Sequence, residues 1–138
     1  MEIGELFEHP VFGTAIRICH AFPVKRGAAD RAAIKTAVQV LKGGHCLGLF
    51  PEGTRSRTGK MKKAEAGVGL IAAMTGAPVV PAAILGTDKI FANGGFLPKL
   101  TILVGEPMTF TGDRKDKAQL EAFSQSILDE IARMKQTV

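Results

Sequence analysis

The sequence contains no tryptophan, no tyrosine and only two cysteines. Single-strand nucleic-acid binding by base stacking would therefore rest on eight phenylalanines, most of which sit in apolar patterns. Cys19 and Cys46 are far apart and form no CxxC, so buried thiols in a reducing compartment are expected, not a disulfide framework. His9, His20 and His45 show no metal-ligand spacing and no HExxH occurs, so no metal is expected. A long apolar run is missing too. The most apolar stretch, Gly76 to Gly86, is interrupted by Pro78 and Pro81 and falls short of the roughly 20 residues a spanning helix needs. Met1 to Pro10 carries three glutamates and no basic residue, unlike a secretory leader.

What is present is an ordinary globular composition: 138 residues, 46% of them hydrophobic and 22% charged. That is enough apolar surface for a core, and the length of one domain, 1–138. The net charge of +5 favours an anionic partner: nucleic acid, a phosphate ester, coenzyme A or acidic lipid. No basic recognition helix or nucleic-acid motif accompanies the charge, so nucleic acid is not expected as the partner.

Hydrophobic spacing predicts a helix over Leu6 to Cys19, with Val11, Phe12, Ala15, Ile16 and Cys19 on one face. Phe22 to Val24 reads as short and extended. Asp30 is placed to cap a helix whose face is Ile34, Ala37, Val38 and Leu41, ended by Gly43-Gly44. His45 to Phe50 has the length and apolarity of a buried strand, closed by Pro51. A polar, basic loop over Glu52 to Lys63 follows, then a helix over Ala66 to Thr75 stopped by Gly76. Val79 to Leu85 reads as a strand with an edge or a bulge at Pro81, and Leu100 to Val104 as another. Lys117 to Lys135 is the clearest helix, with Leu120, Phe123, Ile127, Leu128, Ile131 and Met134 on one face. This alternation predicts an α/β domain with a mixed, largely parallel central sheet flanked by helices. Function in such sheets collects on loops after the carboxyl ends of strands.

Two nucleotide motifs nearly match. Gly53 to Met61 resembles a P-loop, but five residues separate Gly53 from Gly59 where four are needed, and Met61 stands where a hydroxyl must meet magnesium. Gly67-Val68-Gly69-Leu70-Ile71-Ala72 fits GxGxxA but follows a basic loop instead of a strand. Small residues packing this helix closely against the sheet are the better explanation.

The segment Leu49-Phe50-Pro51-Glu52-Gly53-Thr54-Arg55-Ser56-Arg57 is the most informative. Gly53 allows a backbone turn that presents successive N–H groups to an anion. Arg55 and Arg57 offer guanidinium forks that match a phosphate, and Lys60, Lys62 and Lys63 extend the positive field. Glu52 would repel an anion unless it pairs with an arginine or receives a substrate hydroxyl. The alternative is a solvated basic loop with an Arg–Glu pair. Phe22-Pro23-Val24-Lys25-Arg26-Gly27 puts two cations at the end of a short strand and could also hold a phosphate.

On these residues the chain resembles the 1-acyl-sn-glycerol-3-phosphate acyltransferase family over roughly residues 5 to 110. Phe22 to Gly27 looks like that family's second motif block, which places the acceptor's phosphate on Arg26, beside Lys25. Phe50 to Ser56 looks like the third block and is the most specific signal. It implies that Glu52 and Gly53 place the glycerol part of the acceptor, while Arg55, with Thr54 and Ser56, assists with phosphate. Val79-Val80-Pro81-Ala82-Ala83-Ile84 looks like the fourth block, which links Pro81 to the acyl-donor side. The resemblance implies acyl transfer to lysophosphatidic acid, giving phosphatidic acid in phospholipid biosynthesis. The donor is acyl-CoA or acyl-carrier protein, and no cofactor or metal takes part. It also implies a cytoplasmic protein peripheral to the inner face of an anionic membrane.

One block of the family is not found. Its His-x4-Asp supplies the general base, whereas here His9 is followed five positions on by Thr14, His20 by Lys25 and His45 by Phe50. Glu65 is a lesser departure, in a stretch where relatives are often basic. The resemblance therefore implies a domain truncated at its N-terminus, after its catalytic base, and impaired in turnover. Glu52 as base would need a raised pKa beside two arginines, which push it down. Cys46 reads as too buried to carry an acyl group. The alternative is a non-catalytic module that binds lysophospholipid, coenzyme A or anionic lipid in the same pocket.

Overall fold

The structure is a computed structural model and describes residues 14, 18, 20–22, 30–51, 66–87 and 99–137. The chain divides into two compact units, Met1–Leu47 and Gly48–Val138.

In the first unit the described regular element is α1, Arg31–Lys42. Its start and stop are written locally. The Asp30 carboxylate accepts hydrogen bonds from the N–H groups of Ala32 (3.0 Å) and Ala33 (3.2 Å), two donors that have no partner inside the helix. At the other end Gly43 returns its N–H to the Gln39 carbonyl, and Gly44 takes a positive φ of 78° that a side chain would resist. Ala37 and Val38 are buried, and Ile34 and Leu41 are half-buried, as the spacing requires. Of the helix expected over Leu6 to Cys19, only Thr14 and Ile18 are described; both are helical and exposed, and neither belongs to the expected apolar face.

The second unit contains α2 (Gly67–Thr75), β1 (Ala82–Leu85), β2 (Thr101–Val104) and α3 (Lys117–Gln136). Gly76 ends α2 in the left-handed region at φ 68°, with its N–H on the Ala72 carbonyl. Asp116 caps α3 through Ala118 and Gln119 as Asp30 caps α1. The apolar face of α3 buries Leu120, Ile127, Leu128, Ile131 and Met134. Ile127, Ile131 and Met134 close on Ala83 of β1, with Val68, Val79, Leu103, Met108 and Phe123 packed around them. Phe123 meets Phe110 edge to face at 5.5 Å, a favoured geometry for two rings.

The expected largely parallel sheet is not what forms. Among the described residues the sheet has two strands, β1 and β2, paired antiparallel from Ala82 opposite Val104 to Leu85 opposite Thr101. A parallel sheet would need a strand before α2, and the segment chosen for that, His45 to Phe50, enters no ladder. An apolar run of strand length shows that a segment seeks burial, not that it has a hydrogen-bonded neighbour. Leu49 and Phe50 are instead exposed, Phe50 to 89%. Cys46, expected to be buried, is an exposed free thiol for the same reason.

The irregularity expected at Pro81 is present. Beyond the ladder, Val79 and Met108 exchange both backbone hydrogen bonds at 2.8 Å. Between that bridge and the Ala82–Val104 pair, Val80 and Pro81 oppose Gly105, Glu106 and Pro107, so one strand carries an extra residue. Pro81 lacks an N–H but its carbonyl accepts from Gly105 at 2.9 Å, and its ring is fully buried.

Candidate functional site

The sequence places the anion site on two loops, and most of its residues lie outside the described part of the chain. These are Lys25, Arg26, Glu52, Gly53, Thr54, Arg55 and Ser56, with Arg57 and the lysines at 60, 62 and 63. The structure describes the elements that border these loops. Phe22 precedes the first and is half-buried, and Asp30, the cap of α1, follows it. Pro51, half-buried, precedes the second, and Ala66 leads from it into α2.

Of the residues to which the resemblance assigns a role, Pro81 alone is described. It sits at the bulge between β1 and the Val79 bridge, with its ring in the interior and its carbonyl engaged. Its observable work is to end the ladder on that side. His20 and His45, neither of which has an Asp five positions on, are both solvent-exposed. His20 has a left-handed backbone at φ 56°, and His45 follows the turn that closes α1, its N–H on the Val40 carbonyl. Among the described residues no group of three or more His, Cys, Asp or Glu could hold a metal ion. No helix among them is long and apolar enough to cross a membrane.

The GxGxxA stretch is accounted for by packing. The Gly69 N–H, the group a phosphate would need, donates to the Ser124 hydroxyl at 3.0 Å. That hydroxyl is fully buried and in turn donates a hydrogen bond to the Leu120 carbonyl at 3.0 Å. A Cβ at Gly69 would run into the Leu120 carbonyl, so glycine is what lets α2 approach α3 this closely. The close packing expected of these small residues is present, but against α3 instead of the sheet. The sequence pattern missed Ser124 because its polarity hid it in an apolar stripe. Its position four residues from both Leu120 and Leu128 is the signal that could have found it.

The sequence model of the acyltransferase family matches residues 3–85, which span all three motif blocks. The chain belongs to this family. It is 37% identical over 107 residues to the 1-acyl-sn-glycerol-3-phosphate acyltransferase of Bacillus subtilis, covering 75% of this chain and 51% of that protein. A chloroplastic 1-acyl-sn-glycerol-3-phosphate acyltransferase of Brassica napus is 37% identical over 91 residues, 64% of this chain and 26% of its own. The Streptococcus pneumoniae enzyme of the same name is 36% identical over 83 residues, 59% of this chain and 30% of its own. The chain thus spans about half the length, or less, of these curated relatives. No solved structure matches it.

Proposed function

We propose that the chain carries the acceptor-binding part of a 1-acylglycerol-3-phosphate acyltransferase. The observation that carries this reading is the order of the three blocks, Phe22 to Gly27, Phe50 to Ser56 and Val79 to Ile84, inside the segment that matches the family. The acceptor is lysophosphatidic acid. Its phosphate is held by Arg26 and Arg55, with Lys25, Thr54 and Ser56 beside them, because a guanidinium fork matches a phosphate's oxygens in charge and geometry. Glu52 and Gly53 orient the glycerol, and Pro81 shapes the acyl-donor side. The donor is a thioester, acyl-CoA or acyl-carrier protein.

The chemistry is acyl transfer to an alcohol. The free hydroxyl oxygen attacks the thioester carbonyl, a C–O bond forms, the C–S bond breaks and the thiol leaves. The hydroxyl proton passes to a base and then to the departing sulfur. His-x4-Asp, the family's usual base, does not occur within these 138 residues. Assistance by a base contributes about 10²–10⁴-fold, so this chain on its own turns over slowly. The reaction takes place at the inner face of an anionic membrane, where the acceptor lies.

The test is transfer of labelled oleate from oleoyl-CoA to lysophosphatidic acid. It compares this chain, its Glu52→Ala and Arg26→Ala variants, and a version extended upstream to an in-frame His-x4-Asp. Transfer in the extended version, lost with Arg26→Ala, is the expected result. Transfer by the short chain that disappears with Glu52→Ala would overturn the assignment of the base. Folded protein that transfers nothing in either form would leave a lysophospholipid- or coenzyme A-binding module.

A further inference from the structure

The cations of α1 and α3 are disposed differently. On α3, Arg133 is held by Glu130 at 2.6 Å and Lys117 by Glu121 at 3.5 Å, so two of its positive charges are answered within the helix. α1 has no acidic residue at all. Its Arg31, Lys35 and Lys42 are exposed, and among the described residues none of them makes a hydrogen bond or an ion pair. At 100° per residue the three fall within an arc of roughly 40°, along one border of the buried Ala37–Val38 face. From Arg31 to Lys42 is eleven steps along the helix, about 16 Å at 1.5 Å per residue.

A straight row of unanswered cations suits a flat, negatively charged surface better than a compact anion, which one or two of them would satisfy. We infer that the Arg31–Lys35–Lys42 edge of α1 is a contact for an anionic phospholipid bilayer. It is distinct from the phosphate-binding arginines of the motif blocks. Long basic side chains beside an apolar helix face can lay their stems along it and extend their charged ends to the headgroups. The choice of a bilayer over another polyanion rests on the reading that the acceptor is a lipid.

The experiment is co-sedimentation of the full chain with vesicles of phosphatidylcholine and phosphatidylglycerol at 7:3, free of lysophosphatidic acid, at low salt. Arg31→Gln, Lys35→Gln and Lys42→Gln are combined in one variant. Lys115→Gln, Lys117→Gln and Lys135→Gln are combined in a second that removes the same charge from the other unit. Each cation at an anionic surface contributes about fivefold in partitioning, so the first variant should bind on the order of 100-fold more weakly. The second should lose less than tenfold, and pure phosphatidylcholine should bind neither. Circular dichroism checks that α1 remains helical, which glutamine favours.

Equal losses in the two variants would overturn the inference and reduce the attraction to net charge. So would absence of binding by the parent chain, or tighter binding to DNA or to an acidic carrier protein than to the vesicles. If vesicle binding depends on α1 while the extended protein transfers no acyl group, the acyltransferase reading fails and the surface stands. If transfer succeeds and vesicle binding ignores α1, the surface fails alone.

Discussion

α1 and α3 begin alike and are used differently. Each opens on an aspartate that accepts two backbone N–H groups, and each ends on positive charge, Lys42 on α1 and Arg133 and Lys135 on α3. Beyond those shared ends they diverge. Six residues of α3 are buried, packed against α2 and the β1–β2 sheet, whereas α1 buries Ala37 and Val38. Signals within a helix decide that it forms. What lies across from it decides whether it holds the fold together or presents a surface, and that is where two similar stretches of sequence part.

The largest test of this difference is truncation of one leucine on each helix. Leu128 is almost wholly inaccessible, so Leu128→Ala removes its packing and leaves a cavity, costing about 2–5 kcal/mol. Leu41 of α1 is half-buried, and Leu41→Ala should cost roughly half of that or less. Urea unfolding of both variants measures it. Equal losses would mean that α1 is as much a part of the core as α3.

Next in size is the Gly69–Ser124 contact. Ser124→Ala strips the acceptor from a buried N–H and should cost about 1–3 kcal/mol. Gly69→Ala forces α2 away from the Leu120 carbonyl at a similar cost of about 1–3 kcal/mol. Because both act on one contact, the double variant should lose less than the sum of the two, which a thermal double-mutant cycle will show. Additive losses would separate the hydrogen bond from the close approach.

These contacts also mark where sequence reasoning stops. Helix ends were legible where their causes are local: Asp30, Gly43-Gly44 and Gly76 do what their side chains, or lack of them, dictate, and Asp116 is a signal of the same kind that the sequence reading passed over. The break at Pro81 was legible because a missing N–H and a fixed ring exclude a regular ladder there. The pairing of strands was not legible. The alternation of helical and extended segments led to a largely parallel sheet, whereas Ala82–Leu85 and Thr101–Val104 pair antiparallel. One face does pack on α3 through Ala83 and Leu103, while the other leaves Ile102 at 65% and Val104 at 67% exposure. The anion site proposed on Lys25, Arg26 and Glu52 to Ser56 lies outside the described residues and rests on residue types alone, because guanidinium and phosphate chemistry is fixed by the side chains. Distances among them depend on how distant loops meet, which no local pattern states.

The two caps sharpen the comparison from the other side, because they should behave alike. Asp30→Ala and Asp116→Ala each leave two N–H groups at a helix start without their acceptor. Each should cost about 1 kcal/mol, read from the shift of the urea midpoint at constant slope. A cap on α1 worth several times the cap on α3 would show that Asp30 holds more than its helix.

The smallest effect expected is that of the ion pair on α3. The Arg133 guanidinium donates two hydrogen bonds to Glu130 and holds its carboxyl below the ordinary carboxylate range, while the carboxylate raises the arginine in return. For an acid lowered in the folded state, the stabilisation is complete above the ordinary carboxylate pKa. It is lost as pH falls through the lowered value, because only the unfolded chain keeps its usual proton affinity. The pair is largely exposed on the arginine side, so water and salt screen it. Glu130→Gln should therefore melt slightly below the parent at neutral pH and low salt, and the gap should close both in acid and in high salt. A gap that persists in acid would mean that Glu130 supports α3 through packing of its stem and not through its charge.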